Sequence, residues 1–360
     1  MNENGTTLRR RRNLQSRLDF PFTDQYLRNQ NALVIKKRGE PSATARTLQI
    51  AEYLAREHGM RTFVEPAAAG EFEHLPSVTT LAPPEQTEQE GWDVGRHADT
   101  PSDAVAEVSA ASPPQAATPV TATNWQSQID LAIAIGGDGT LLYLSSLFPR
   151  RCPPVVPFHS GSLGFLMAFD PKDYADVLNV CLRGEQPIVS RNRLEFCVRT
   201  EEEWARENGP APDTRWFHLM NETVIKRQHR LSGWSEIEVY VDDDLLARYK
   251  GDGLVIASPT GSTAYSMAAG GSIVHPEIDA LLITPLNSSS LASRPLLLPG
   301  SALVRLHVRS ESMYLEGKYG RFISGAFTHR ACLLVVLCDF VFKFIIAHLF
   351  VLLLLYLRGA

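Results

Sequence analysis

A single carboxylate, Asp138, stands among Gly136, Gly137 and Gly139 in the stretch LAIAIGGDGTLL, where an apolar run passes straight into a loop almost without side chains. A glycine-rich turn directly after a buried strand, with TLLYLSSLF continuing as a helix, places backbone N–H groups where phosphate oxygens can sit. On charge alone the carboxylate is out of place there: it repels phosphates unless it binds a metal or takes a proton from an attacking hydroxyl. Phosphoryl transfer fits such a loop better than passive nucleotide binding. The loop is neither G-x-x-x-x-G-K-[ST] nor G-x-G-x-x-G, so the two common nucleotide-binding loops are excluded at this position. The plainer alternative is a strand-ending glycine turn whose Asp caps a helix.

Further chemistry-bearing stretches follow in order. HSGSLGFL (His159 to Leu166) is a second glycine loop after the apolar PPVVPF, and MNETVI (Met220 to Ile225) sets Asn221 beside Glu222 before a β-type run. KGDGLVIASPTGSTAYSMAAGGSIVHP (Lys250 to Pro276) combines Asp252, a Thr/Ser-rich turn and Tyr265. In the order GGDGT, GSLGF, NE, GDG and SPTGSTAYS, these motifs resemble those of the NAD kinases, from about Asn31 to about Val308, and LLITPLNSSSLASRPLLLP is similar to the family's segment ending in an Arg-Pro pair. A lone GGDG also occurs in lipid kinases, but the paired NE and GSTAYS motifs disfavour that reading.

The resemblance implies a Rossmann-like α/β domain carrying GGDGT, then a β-rich domain of β-sandwich type, with the site in the crevice between them. It implies transfer of the γ-phosphoryl group of ATP, with Mg²⁺, to the adenosine ribose 2′-hydroxyl of NAD or NADH. Asp138 would then be the general base, and Gly136, Gly137, Gly139 and Thr140 the cradle of the Mg²⁺-bound nucleotide. Asn221 and Glu222 would hold dinucleotide hydroxyls and amide, Phe165 would line the adenine pocket, and Asp252 with Thr260, Thr263, Ala264 and Tyr265 would complete the dinucleotide site. Lys250 is read either as a point charge for a phosphate or as a solvated strand-edge lysine. His159 is read as a satisfied strand-end histidine.

The elements that must position these residues are legible in part. NALVIKKRGEPSATARTLQIAEYLAREHG gives a strand over Ala32–Ile35, a polar turn, and a helix with Leu48, Ala51 and Leu54 at helical spacing that ends at Gly59; RTFVEP follows as a second strand. Residues 82–124, rich in Pro, Ala, Thr, Ser and Glu, have only Trp92 as an aromatic and are expected to be a disordered insertion. Leu131 to Ile135 then resumes a parallel sheet covered on both faces. After about Ser190 the runs shorten and alternate, as in EIEVYVDDDLLARY, where Ile237, Val239 and Val241 share a face and Asp242 to Asp244 reverse the chain. The expected divisions are a basic arm or presequence at 1–30, the α/β domain at 31–189, the β-rich domain at 190–310, and an atypical hydrophobic tail at 311–360.

Composition narrows the partners. A chain of 360 residues with 44% hydrophobic residues can bury a large core, and a formal net charge of -5 offers no basic field for nucleic acid. Five cysteines without a C-x-x-C pair suit reduced thiols. The partners expected are small-molecule nucleotides and a second copy of the chain in a homo-oligomer. The start, with Arg9 to Arg12 and Arg17 and Glu3 as its only acid before Asp19, has the composition of a mitochondrial presequence. NALVIKKRGEP resembles the mitochondrial NADH-kinase branch of the fungal family, so the mitochondrial matrix is expected, with the cytoplasm as alternative.

The tail from Cys332 to Leu357, CLLVVLCDFVFKFIIAHLFVLLLLYL, is long enough to span a bilayer but interrupted by Asp339, Lys343 and His348. The family's domain continues through further strands with an Asp-Gly turn, which SESMYLEGKYGRFISGAFTHR lacks. Losing those strands would leave sheet edges open, so the tail either substitutes for them structurally or is an aberrant end; the aberrant end is favoured over a membrane anchor on a catalytically impaired, tethered nucleotide-binding protein.

Overall fold

The computed structural model describes residues 18–19, 30–72, 78–81, 125–148, 151–161, 164–184, 188–200, 216–227, 233–309, 313–317, 324–327 and 331–345. Most of the 1–30 arm and the whole 82–124 insertion lie outside them. The elements of the first half are β1 (Leu18–Asp19), β2 (Asn31–Lys36), α1 (Pro41–His58), β3 (Arg61–Val64), β4 (Val78–Thr80), β5 (Leu131–Gly136), α2 (Asp138–Leu147), β6 (Val155–His159) and α3 (Tyr174–Leu182).

Strands β2 to β6 form a parallel sheet in the order β6-β5-β2-β3-β4. Both faces are covered, which is why β2 and β5 are unbroken apolar runs. Alternation divides β2 between two cores: Ala32 and Val34 pack with α1 and α3, whereas Leu33 and Ile35 pack with α2. In α1 the stripe of Ala43, Thr47, Ile50, Ala51 and Leu54 is buried, and Gly59 closes the helix at φ 62 with its N–H on the Leu54 carbonyl. The chain leaves β2 in one direction for β3 and in the other for β5, so the carboxyl ends of β2 and β5 form the topological switch point where open α/β sheets bind ligands. The glycine loop follows β5 at that point.

The second half comprises β7 (Ile188–Thr200), β8 (Phe217–Leu219), β9 (Glu222–Arg227), β10 (Ser235–Val241), β11 (Asp244–Gly251), β12 (Gly253–Ala257), α4 (Tyr265–Ala268), β13 (Ala280–Leu286), β14 (Leu296–Pro299), β15 (Val304–Val308), β16 (Met313–Gly317), β17 (Ser324–Phe327) and β18 (Ala331–Ile345). One antiparallel sheet runs β14-β13-β12-β9-β16-β17; facing it, β11-β10-β15-β18 continues into the parallel sheet through β18 beside β6, with β7 along β18. Ile237, Val239, Leu254, Ile256, Ile283 and Leu306 fill the space between the two layers. The β10–β11 hairpin turns on Asp242 at φ 49 and Asp243 at φ 76, a left-handed pair that Asp tolerates and that matches strand twist.

Residues 189 and 190, where the two domains are expected to divide, both lie in β7, and β7 also pairs with β1, so Leu18 and Asp19 of the basic arm lie against Val189 and Ile188. The segment expected as an atypical hydrophobic tail, whether structural substitute, aberrant end or anchor, supplies β18 through residue 345, antiparallel to β7 and β15. Leu333 and Val335 enter the core between the layers. Asp339, expected to interrupt a helix, falls where the register between β7 and β18 shifts, between Cys338 and Phe342. An unbroken apolar run does not by itself separate a helix from a strand buried on both faces, and this run belongs to a strand. Among the described residues no helix is long and apolar enough to cross a membrane; residues 346–360 lie outside them.

Leu333 is 2% exposed. Leu333→Ala is expected to cost about 2–5 kcal/mol in denaturant unfolding, as for a core leucine, whereas a dangling end would give no measurable change.

Candidate active site

A cavity of about 620 Å³ opens between the carboxyl end of the parallel sheet and the face of the antiparallel layer. Asp138, Gly139 and Leu142 enter it from the first turn of α2, and Phe165 and Leu166 from the loop after β6. Asn221, Glu222, Val224 and Lys226 face it from β9 and its approach, and Thr260, Thr263, Ala264 and Tyr265 from the turn after β12. The period of two along β9 explains why Glu222, Val224 and Lys226 share this wall while Arg227 does not.

Asp138 is the first residue of α2, behind Gly137 as N-cap. Its Oδ2 accepts from the Phe165 N–H at 3.2 Å and its Oδ1 from the Leu166 N–H at 3.1 Å. The second glycine loop thus grips the carboxylate of the first. Gly164 is required for that approach, because a Cβ there would collide with the Asp138 carboxylate. Burial pushes the Asp138 pKa up from the ordinary Asp value, while the Leu166 and Phe165 N–H groups and the charge of Arg191 draw it back down. A carboxylate raised in this way is a better proton acceptor than a solvated one.

Arg191, on β7, is 2% exposed and donates from Nη1 to Thr260 Oγ1 at 3.3 Å. Sequence reasoning missed it, although SRNRLEF places two arginines at alternate positions in an otherwise strand-like run, an arrangement that on a buried strand signals paired charge.

The Asn221 side-chain Oδ1 is buried and has no hydrogen-bond partner among the described residues, and Asn221 borders the cavity. A buried acceptor left unmade is costly, so this atom suits a ligand that brings a donor. The Asn221 backbone is packed against Gly261, where no Cβ would fit. Serines missed in the sequence hold the turn that carries Thr260 to Tyr265. Ser258 Oγ donates to the Met220 carbonyl at 2.6 Å, Ser262 Oγ donates to the Pro259 carbonyl at 2.6 Å and accepts from the Val274 N–H at 3.0 Å, and Ser266 and Thr284 hydroxyls meet at 2.8 Å. Tyr265 is 43% exposed and lies on the cavity wall, not in the core.

The remaining expected residues fall outside the cavity wall. Gly136, Gly137 and Thr140 build the bend behind Asp138, with the Thr140 N–H on the Gly137 carbonyl at 2.9 Å and the Ser160 N–H on the Gly136 carbonyl at 2.9 Å. Asp252 sits at the corner between β11 and β12, where Arg227 reaches it at 2.6 Å and Asn287 at 2.9 Å; the length of β12 separates it from Thr260. Lys250 pairs with Glu236 at 3.2 Å. His159 Nδ1 bonds with the Gly161 carbonyl at 3.0 Å, the strand-end role expected of it. At the end of β2, Lys36, Lys37 and Arg38 are each ion-paired, with Glu71, Glu40 and Glu65.

The family model described as ATP-NAD kinase N-terminal domain matches residues 32–186, and that described as ATP-NAD kinase C-terminal domain matches residues 220–345. The chain belongs to the NAD kinase family, and the match through residue 345 takes in β18, beyond the limit near Val308 expected from the motifs. It is 40% identical over 207 residues to an uncharacterized kinase of Schizosaccharomyces pombe, covering 53% of this chain and 51% of that one. It is 38% identical over 198 residues to an ATP-NADH kinase of Saccharomyces cerevisiae, covering 52% and 39%. To the mitochondrial NADH kinase of the same yeast it is 36% identical over 186 residues, covering 51% and 43%. The chain thus spans about half or less of the length of these curated relatives. Among solved structures, yeast NADH kinase complexed with NADH superposes with a TM-score of 0.70 at 24% identity over 94% of this chain and 89% of that one. An NAD kinase from Archaeoglobus fulgidus in complex with ATP gives 0.56 at 18%, over 88% and 93%. At these identities the likeness is one of fold: a parallel α/β layer followed by an antiparallel β-rich one.

Ser262 is fully buried. Ser262→Ala would leave the Val274 N–H unsatisfied, and is expected to cost about 1–3 kcal/mol in denaturant unfolding.

Proposed function

We propose that this chain phosphorylates NAD or NADH at the adenosine ribose 2′-hydroxyl with ATP, and that Asp138 is its general base. The observation that carries the reading is the Asp138 carboxylate itself, half-buried in the cavity wall and fixed by two backbone N–H groups. An alcohol is a weak nucleophile at neutral pH; a carboxylate in hydrogen-bond reach that takes its proton contributes roughly 10²- to 10⁴-fold. The 2′-O–H bond breaks toward Asp138 as the new O–P bond forms, and the bond between the γ-phosphorus and its bridging oxygen breaks to release ADP. Asn221, with its unpartnered buried acceptor, binds a hydroxyl or amide N–H of the dinucleotide. Glu222 lies beside it, while Thr260, Thr263, Ala264 and Tyr265 form the opposite wall and Phe165 the adenine side.

The bend of Gly136, Gly137, Gly139 and Thr140 lies next to the nucleotide phosphates at the N-terminus of α2. Mg²⁺ bound with the ATP phosphates would offset their charge.

Asp138→Asn keeps the shape and loses the base. Dinucleotide affinity is expected to stay within a few-fold while turnover falls at least about 10²-fold, and equal turnover in mutant and parent would refute the assignment. Because burial raises the Asp138 pKa, the acid limb of the parent's kcat/KM profile is expected above the ordinary Asp range.

The arginine-rich, acid-poor start and the 36% identity to a relative named as mitochondrial support a matrix location. A fluorescent reporter fused to residues 1–30 is expected to enter mitochondria; a diffuse cytosolic signal would overturn this.

A further inference from the structure

Strand β9, ETVIKR, ends in two successive basic residues, Lys226 and Arg227. The period of two along a strand sends them to opposite faces. Arg227 turns away from the cavity: its guanidinium reaches the Asp252 carboxylate at 2.6 Å and stands 5.5 Å from the centroid of the Trp234 ring. Lys226 falls on the cavity face with Glu222 and Val224, half-buried, and among the described residues that line the cavity it is the sole cationic side chain. Its register partner on β12 is Gly253, which puts no side chain beside it.

The wall that Lys226 shares is otherwise unfavourable to an anion, because its other charged groups are the carboxylates of Asp138 and Glu222. The dinucleotide of the proposed reaction nevertheless has to bring its pyrophosphate into this cavity. Asn221 adjoins the turn after β12, with the Ser258 N–H on its carbonyl at 2.9 Å. Glu222 pairs with Ala257 at that end of β12, and Lys226 pairs with Gly253 at the other, about 13 Å further along the strand. A long ligand held at Asn221 and laid along β9 therefore passes from the polar pair at the start of the strand toward the ammonium at its end.

We propose that Lys226 binds the pyrophosphate of the dinucleotide and so sets the affinity of the site for that substrate. The proposal rests on the kinase reading above for the identity of the ligand. An ammonium on a flexible stem suits this target: a pyrophosphate spreads its charge over several oxygens, and lysine meets it as a point charge without the fixed fork that an arginine imposes. Such a charge-assisted contact is stronger than a neutral hydrogen bond, and at a half-buried position it is screened by salt.

The test compares Lys226→Met and Lys226→Arg with the parent in the full chain, with thermal melts to establish folding. In Lys226→Met the KM for both NAD and NADH is expected to rise about 10-fold, with kcat changed less and the KM for ATP changed by no more than about two-fold. Lys226→Arg is expected to keep the dinucleotide KM within a few-fold of the parent's, because the charge is kept. Added KCl is expected to raise the dinucleotide KM less steeply in Lys226→Met than in the parent, a readout that a merely structural lysine would leave unmoved. An unchanged dinucleotide KM in Lys226→Met would overturn the proposal, and so would a rise for ATP as large as that for the dinucleotide. A change confined to NAD or to NADH, or opposite in the two, would overturn it as well, since the two differ in charge at the nicotinamide ring and share the pyrophosphate. Should Lys226→Met not fold, Lys226→Gln carries the same comparison. A parent chain that binds NADH in calorimetry without phosphorylating it would refute the kinase reading alone. The dissociation constants of the same variants for NADH then decide: about 10-fold weakening in Lys226→Met supports the inference, and an unchanged constant, or a parent that binds no dinucleotide, overturns it.

Discussion

A carboxylate and a guanidinium withdrawn from water in one crevice set the condition that the surrounding structure meets. Asp138 is half-buried and Arg191 is the deeper of the two; an unanswered charge at the depth of Arg191 costs several kcal/mol, a large fraction of the stability of a domain. The Asp138 carboxylate accepts from the Phe165 and Leu166 N–H groups, and the Arg191 guanidinium donates to the Thr260 hydroxyl. Those partners come from α2, the loop after β6, β7, and the turn after β12. These contacts draw the parallel layer and the antiparallel layer together at the crevice.

Glycines and serines do the local work of that convergence. Gly164 and Gly261 lie where a side chain would push into Asp138 or the Asn221 backbone. The serine-rich turn would expose several backbone groups inside the protein were it not for the hydroxyls of Ser258 and Ser262, which donate to carbonyls and accept from the Gly261 and Val274 N–H groups. Composition that reads as a flexible loop is here a pinned one.

What was legible in the sequence follows from how strictly the physics constrains each pattern. The unbroken apolar runs of β2 and β5, the stripe of α1 and the glycines around Asp138 each admit few structures, and the parallel layer with its crevice follows from them. The long run from Cys332 was not legible, because hydrophobicity without a period is equally suited to a membrane helix and to a strand covered on both faces. Asp252 and Lys250 stand beside the motif in sequence, yet one strand, β12, carries the chain away from them before the cavity wall begins. Arg191 and Arg193 broke the apolar pattern of their strand, and only the partners brought by distant segments show why the break is tolerated.

β18 ties these features together. It lies along β7, the strand that bears Arg191 and Arg193, and its far end reaches β6, whose following loop supplies the Phe165 and Leu166 N–H groups. It also lies along β15 and puts Leu333 and Val335 into the core beneath β9 and β12, the strands that form and lead to the cavity wall. A strand in that place backs both sides of the crevice without touching it. The late segment of the chain therefore reaches the site through the strands it pairs with: β18 covers an edge of β7 that would otherwise present unpaired N–H and C=O groups, and β7 bears Arg191, which donates to Thr260 on the cavity wall.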